Sequence, residues 1–222
     1  MNTRRSFLRL ASSSIVFPYV AKSSWAESSP ANRINHASFG GQGMAAMDLR
    51  KIASHSSVTV RAIAEIDSGR REKTKAQYKD AKVYSDWREM LEKEGDSLDT
   101  ANVSTPDHVH ASQAMAAMQK GIHIYGQKPL THGVAESRTL TEYARKNKIV
   151  TQMGIQCHST QEYRTAVQIV HDGMIGKLVE AHSFSDKTWG DPKPRPDRKD
   201  QIPTGLDWDQ WVGPAPYHDY IK

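Results

Sequence analysis

The chain has 222 residues, a formal charge of +5 and one cysteine. That length holds one or two domains with a real core, and the single cysteine, Cys157, excludes an internal disulfide framework. Residues 1–26 carry Arg4, Arg5, Arg9 and Lys22 and no acidic residue, so without these four charges the +5 falls to +1; the basic balance belongs largely to the N-terminus and argues against a nucleic-acid surface.

In that stretch Arg4-Arg5-Ser6-Phe7-Leu8 precedes a weakly apolar run from Ala11 to Val20, and Ser24-Trp25-Ala26 offers a small-x-small cleavage pattern. This reads as a twin-arginine export signal over residues 1–26, which places the mature protein in the periplasm or beyond. Its apolar part is too short and too rich in serine to span a bilayer, which argues against a stable membrane anchor. Residues 27–32 read as a linker.

Strand-like and helix-like segments then alternate. Residues 34–39 form a short apolar run that enters Gly40-Gly41-Gln42-Gly43 and continues as a helical pattern from Met44. Residues 58–66 are a β-branched run ending near Glu65, which follows Gly43 by 22 residues. A charged helix over 68–79, a short strand at Val83-Tyr84 and a helix after Asp86 come next, with Asp86 and Glu89 spaced as a capping box. Residues 98–104 read as a strand with Asp99 at its entry, and Pro106-Asp107 as the turn into a helix over 108–120. That helix carries Ala111, Ala114, Met115 and Met118 on one face. A strand over 122–125, a helix over 133–146 and a strand over 149–153 complete the unit. Such alternation predicts a doubly wound parallel sheet covered on both faces, a Rossmann-type α/β domain over 33–153. Residues 154–222 read as an incomplete α/β C-terminal domain: a helix over 160–171 capped by Ser159 with Glu162, a strand over 177–185, and a proline-rich loop or lid over 190–203. A lone strand cannot bury its faces, so the pattern suggests a chain that stops before its second domain closes.

Ligands of parallel sheets sit at the carboxyl ends of the strands. Four features fall there: the turn Ser38-x-Gly40-x-x-Gly43, Glu65, Thr105-Pro106-Asp107, and Gln127-Lys128-Pro129. A pyrophosphate binds where glycines let the backbone approach and a helix N-terminus favours negative charge. An acidic residue about 20 positions on accepts hydrogen bonds from ribose hydroxyls. Lys128, directly after a strand, is placed to meet the reacting oxygen of a substrate. His108 and His110 have no third ligand at useful spacing, so no metal site is expected. Trp208 and Trp211 read as packing or as a wall of a cleft.

Together with Gly173-x-x-Gly176-Lys177, Thr105-Pro106-Asp107-His108-Val109-His110 and Gln127-Lys128-Pro129-Leu130 with Glu136, these motifs stand in one order. In that order the chain resembles the Gfo/Idh/MocA (glucose–fructose oxidoreductase/inositol dehydrogenase) family, in particular its exported twin-arginine branch. The resemblance covers roughly residues 33–222. It implies NAD, with NADP as the alternative, and hydride transfer at a carbon of a sugar or cyclitol, in a protein that forms homo-oligomers at full length. Carried over by position, Ser38, Gly40, Gly41, Gln42 and Gly43 would cradle the pyrophosphate. Glu65 would hold the adenosine ribose, with Arg70 and Arg71 leaving room for a 2′-phosphate. Thr105, Pro106, His110 and Gln127 would line the nicotinamide side. Lys128 would be the catalytic lysine of a Glu-Lys-Pro motif whose glutamate is here Gln127, and Gln156 and His158 would lie near the carbohydrate. The family's later acid/base aspartate and histidine have no match. Two other readings stand beside the dehydrogenase: an NAD-dependent glycosidase with tightly bound cofactor, and a non-catalytic nucleotide-binding protein.

Overall fold

The computed structural model describes residues 33–187 and 193–222; the export signal and linker expected over 1–32, and the start of the proline-rich loop, lie outside the described residues. Six parallel strands form one sheet in the order β3-β2-β1-β4-β5-β6. The strands are β1 Ile34–Phe39, β2 Val58–Ala64, β3 Lys82–Tyr84, β4 Thr100–Val103, β5 His123–Gln127 and β6 Thr151–Gly154. Between them run α1 Met44–Ala53, α2 Ser68–Gln77, α3 Trp87–Glu94, α4 His110–Gln119 and α5 Val134–Asn147. This is the doubly wound order, whose direction reverses between β1 and β4.

The strand pleat sorts side chains to two unlike faces. Ala37 and Phe39 of β1, Ala62 and Ala64 of β2, and Ala101 and Val103 of β4 join Met90 and Leu91 of α3, Ala114 and Met118 of α4, and Leu140 of α5 in one apolar core. The small strand residues let the helices sit close, and Phe39 fills the space up to Trp87, 6.1 Å between ring centroids. The alternate residues make the other face polar. His36 meets Thr100 Oγ1 through Nδ1 at 2.8 Å and Asn102 Oδ1 through Nε2 at 2.9 Å. Asn102 Nδ2 donates to Ser104 Oγ at 2.9 Å, and Ser104 Oγ donates to Asp48 Oδ2 of α1 at 2.7 Å. Gln127 Nε2, at the end of β5, donates to the same Asp48 oxygen at 2.8 Å. All of His36, Asn102, Ser104, Asp48 and Gln127 are buried, so each bond replaces one that water would otherwise make.

Helix starts follow local side chains. Asp67 Oδ1 accepts from Arg70 N at 2.8 Å and Asp86 Oδ1 from Arg88 N at 2.8 Å, satisfying amides that a first turn leaves open. The capping box expected at Asp86 is only half made: Glu89 turns instead to Lys93 one turn on, at 2.6 Å. The cap expected from Ser159 belongs to Thr160, whose Oγ1 accepts from Tyr163 N at 3.3 Å, so helix α6 spans Gln161–His171.

The largest departure from expectation follows α6. The strand expected over 177–185 does not form; these residues are irregular and exposed. No described strand lies beside them, and backbone groups without a ladder partner stay with water. Among the described residues the next helix is α7, Trp208–Val212, which returns to the first domain. Ser68 N donates to Gly205 O at 2.9 Å, Leu206 makes an antiparallel bridge with Asp67, and His108 Nε2 bonds the Trp211 carbonyl at 2.7 Å.

Burial holds the His36 pKa below its ordinary value, against a smaller opposing effect of the Asn102 hydrogen bond. Nε2 must donate to the Asn102 oxygen, which leaves Nδ1 to accept from Thr100 and makes the neutral ring the fitting form. The unfolded chain therefore binds a proton more readily than the folded one. The stability this ring contributes is complete above the ordinary value of 6.5 and is lost as pH falls through the lower folded value. His36→Gln should flatten the decline of unfolding free energy on the acid side of pH 6.5, read from urea titrations at several pH values; equal slopes in both proteins would remove His36 as the cause.

Candidate functional site

The carboxyl ends of β1, β2 and β4 surround a cleft of about 260 Å³ at the point where strand order reverses. Gly40, Gln42, Glu65, Thr105 and Pro106 all line it, so the sheet gathers residues that the sequence spreads over more than sixty positions. Asp67, Arg70, Trp87, Gln113, Leu206 and Trp211 are also in its wall.

Two glycines of the turn stand where a side chain would collide. Gly40 has φ 99°, and a Cβ there would stand 2.8 Å from Ala45 Cβ and 3.3 Å from Ser104 O. A Cβ on Gly41 would stand 2.5 Å from Thr74 Oγ1. Gly43, at φ 63°, opens α1, and a Cβ there would meet nothing within 4 Å. The bare space over a helix N-terminus is the cradle a diphosphate needs. Glu65 closes the next side. Its Oε2 accepts from Gly41 N at 3.1 Å and its Oε1 from Asp67 N at 3.1 Å, so the carboxylate is fixed between the glycine turn and the start of α2.

Several expected contacts prove to be supports. Ser38 is fully buried, and its hydroxyl donates to Gly40 O at 2.7 Å; it holds the turn from behind and lies outside the cleft lining. His110 is also buried, with Nδ1 on Pro129 O and Nε2 on Thr105 O, both at 2.7 Å. It ties the loop after β4 to the loop after β5 and is not part of the cleft lining. Thr105 Oγ1 donates to Gln113 Oε1 at 2.6 Å, which fixes the rim of the first of these loops. Arg71 donates to the carbonyls of Glu65 and Ile66 at 3.0 and 3.2 Å, so of the two arginines only Arg70 reaches the cleft.

Gln127 is buried beneath the rim; besides its bond to Asp48, its Oε1 accepts from Lys128 N at 3.3 Å. Lys128 follows it, exposed, in a cis Lys128-Pro129 peptide, beyond the lining of the main cleft. Gln156 and His158 line a separate hollow with Tyr125 and Met153, where His158 stacks on Tyr163 at 4.6 Å. Gln156 Nε2 lies 3.4 Å from Met44 Sδ at the head of α1. The structure therefore groups Gly40, Gln42, Glu65 and Thr105-Pro106 in one cleft, leaves Gly41, Gly43 and Lys128 outside its lining, and puts Gln156 and His158 in another hollow.

A family model for oxidoreductases with an NAD-binding Rossmann fold matches residues 34–155, more than half of the chain. The chain belongs to the Gfo/Idh/MocA family. It is 27% identical over 105 residues to the levoglucosan dehydrogenase of Pseudarthrobacter phenanthrenivorans, covering 47% of this chain and 26% of that protein. It is 27% identical over 146 residues to the inositol 2-dehydrogenase of Salmonella typhimurium, covering 64% of this chain and 43% of that one. The fold superposes on the crystal structure of myo-inositol 2-dehydrogenase from Lactobacillus plantarum with a TM-score of 0.62 at 22% identity, over 66% of this chain and 43% of that one. The chain thus spans less than half the length of these relatives.

The bond to Asp48 requires a donor at position 127, which an amide supplies and an ionised carboxylate does not. A carboxylate at position 127 would face the Asp48 carboxylate across 2.8 Å of buried space, where like charges repel strongly. Gln127→Glu should lower stability by about 2–4 kcal/mol, and Gln127→Glu combined with Asp48→Asn should recover most of it. Chemical denaturation of the two variants checks this; equal losses in both would dissolve the pairing.

Proposed function

We propose that this protein is an oxidoreductase that transfers a hydride between a carbohydrate carbon and NAD. The observation that carries the reading is the glycine turn Gly40-Gly41-Gln42-Gly43 at the strand-order reversal, with the fixed Glu65 carboxylate beside it. The residues fit a dinucleotide: the turn leaves room for a diphosphate against the N-terminus of α1, and Glu65 offers acceptors to ribose hydroxyls. The dinucleotide, when bound, supplies the hydride acceptor or donor.

The chain's own residues do the rest. Glu65 favours an unphosphorylated ribose, because a 2′-phosphate would meet its negative charge, so NAD is the better partner despite Arg70. His110, by joining the Thr105 and Pro129 carbonyls, sets the loop carrying Pro106 against the loop carrying Lys128. Lys128 is the proposed proton-transferring group at the substrate oxygen whose carbon exchanges the hydride. A sugar or cyclitol is the substrate class, supported by the relatives' inositol and levoglucosan dehydrogenase names. We also propose that Arg4-Arg5 and the run after it direct export by the twin-arginine route, which carries folded proteins and so suits one that takes up its cofactor in the cytoplasm.

Equilibrium titration of the purified chain should show saturable NADH binding that is stronger than NADPH binding; no binding of either would overturn the cofactor reading. In a preparation with measurable carbohydrate-dependent NAD reduction, Lys128→Ala should lower kcat by about 10²–10⁴-fold while leaving NADH affinity within about twofold. Unchanged kcat would take Lys128 out of the chemistry.

A further inference from the structure

A carboxylate is buried beneath one end of the cleft. Asp48, on α1, is 5% exposed, and its Oδ2 accepts from Ser104 Oγ at 2.7 Å and from Gln127 Nε2 at 2.8 Å. Ser104 Oγ in turn accepts from Asn102 Nδ2 at 2.9 Å, so its own proton is directed at Asp48. An oxygen that accepts twice has the bonding pattern of an ionised carboxylate, and both of its donors are neutral. Neutral donors leave the charge in place, and in dry surroundings its field reaches further than that of a charge at the surface. Tyr125 of β5 registers that field: burial first, and the Asp48 charge after it, push its phenol above the ordinary value of 10.0.

The strand order says which end of the cleft this is. Glu65 follows β2 and takes the adenosine ribose, and the glycine turn follows β1 and takes the diphosphate. In the order β2-β1-β4-β5 the nicotinamide end therefore falls over β4 and β5. Ser104 follows β4 and lines the cleft, and Gln127 ends β5 next to Lys128. The two side chains bonded to Asp48 are thus those beneath the nicotinamide end. We infer that Asp48 selects the redox state of the cofactor: its negative charge favours the positively charged nicotinamide of NAD⁺ over the uncharged ring of NADH. The inference rests on the NAD reading of the cleft and extends it to the charge of the ring. No contact is needed, because the attraction acts through the thin layer of Ser104 and Gln127. Lys128, the cation at the same end, is exposed, where water screens it. By linkage, a site that binds the oxidised form better shifts the bound pair toward that form. The charge thus favours a hydride leaving the cofactor over a hydride arriving.

Calorimetric titration of the full chain with NAD⁺, NADH and ADP-ribose, in the wild type and in Asp48→Asn, tests this. Asparagine keeps an oxygen that accepts from Ser104 and Gln127 and removes only the charge. The wild type should bind NAD⁺ at least as tightly as NADH. Asp48→Asn should move the ratio of the two affinities about tenfold toward NADH. It should leave ADP-ribose, which lacks the ring, bound within about twofold of the wild type. Gln127→Glu combined with Asp48→Asn puts the charge back one side chain away and should restore the wild-type ratio. A wild-type preference for NADH, or equal changes for both dinucleotides in Asp48→Asn, would overturn the inference and leave the cofactor reading intact. Failure of the wild type to bind any of the three ligands would overturn that reading itself. The wild-type comparison involves no substitution, so it stands even if the variants unfold.

Discussion

One buried carboxylate fastens the site together. Asp48 sits on α1, one turn beyond the glycine turn, and its Oδ2 accepts from Ser104 after β4 and from Gln127 at the end of β5. Two carboxyl-end segments therefore converge on a single oxygen of α1. The bonds are short, the surroundings are dry, and the partners are neutral donors, a combination in which each bond is stronger than in water and each loss leaves a bare polar atom. The head of α1, which offers its N-terminus to a ligand, thus cannot shift without dragging the loops that hold Thr105 and Lys128. The polar file that continues through Asn102 to His36 extends this constraint across the sheet.

Around that anchor the cleft is built in layers. Gly40 and Gln42 of the glycine turn form the floor, Glu65 the side nearest α2, and the rim is set by groups outside the cleft lining. Ser38 props the turn from behind, while His110 ties the two rim loops. Such supports matter because placement errors of about 1 Å at reacting groups lower rates steeply. The last wall comes from a distant part of the chain, so the cleft is closed by segments with no sequence proximity.

The Rossmann domain was legible in the sequence because its signals are local. Alternating apolar runs marked all six strands, Gly40 and Gly43 marked the turn, and Asp67 and Asp86 each cap a helix near where the pattern suggested one. What escaped depended on distance. Ser38 and His110 have the right residue types in the right positions for ligand contact, but only the fold shows their polar atoms turned to backbone carbonyls. Asp48 reads as an ordinary helical residue until Ser104 and Gln127 arrive from 56 and 79 positions away. The strand expected over 177–185 has the alternation of a strand, yet alternation is only half of what a strand requires; the other half is a neighbour to pair with.

The aromatic content of the cleft wall has a spectroscopic consequence. Trp87 and Trp211 both line it, and Trp211 is stacked on Trp208 with ring centroids 4.7 Å apart. Reduced nicotinamide absorbs light in the range where indole emits, and the oxidised ring does not. A dinucleotide in the cleft, as proposed, would lie within energy-transfer reach of these indoles, and the protein would carry its own optical gauge of the cofactor's redox state, without any label attached.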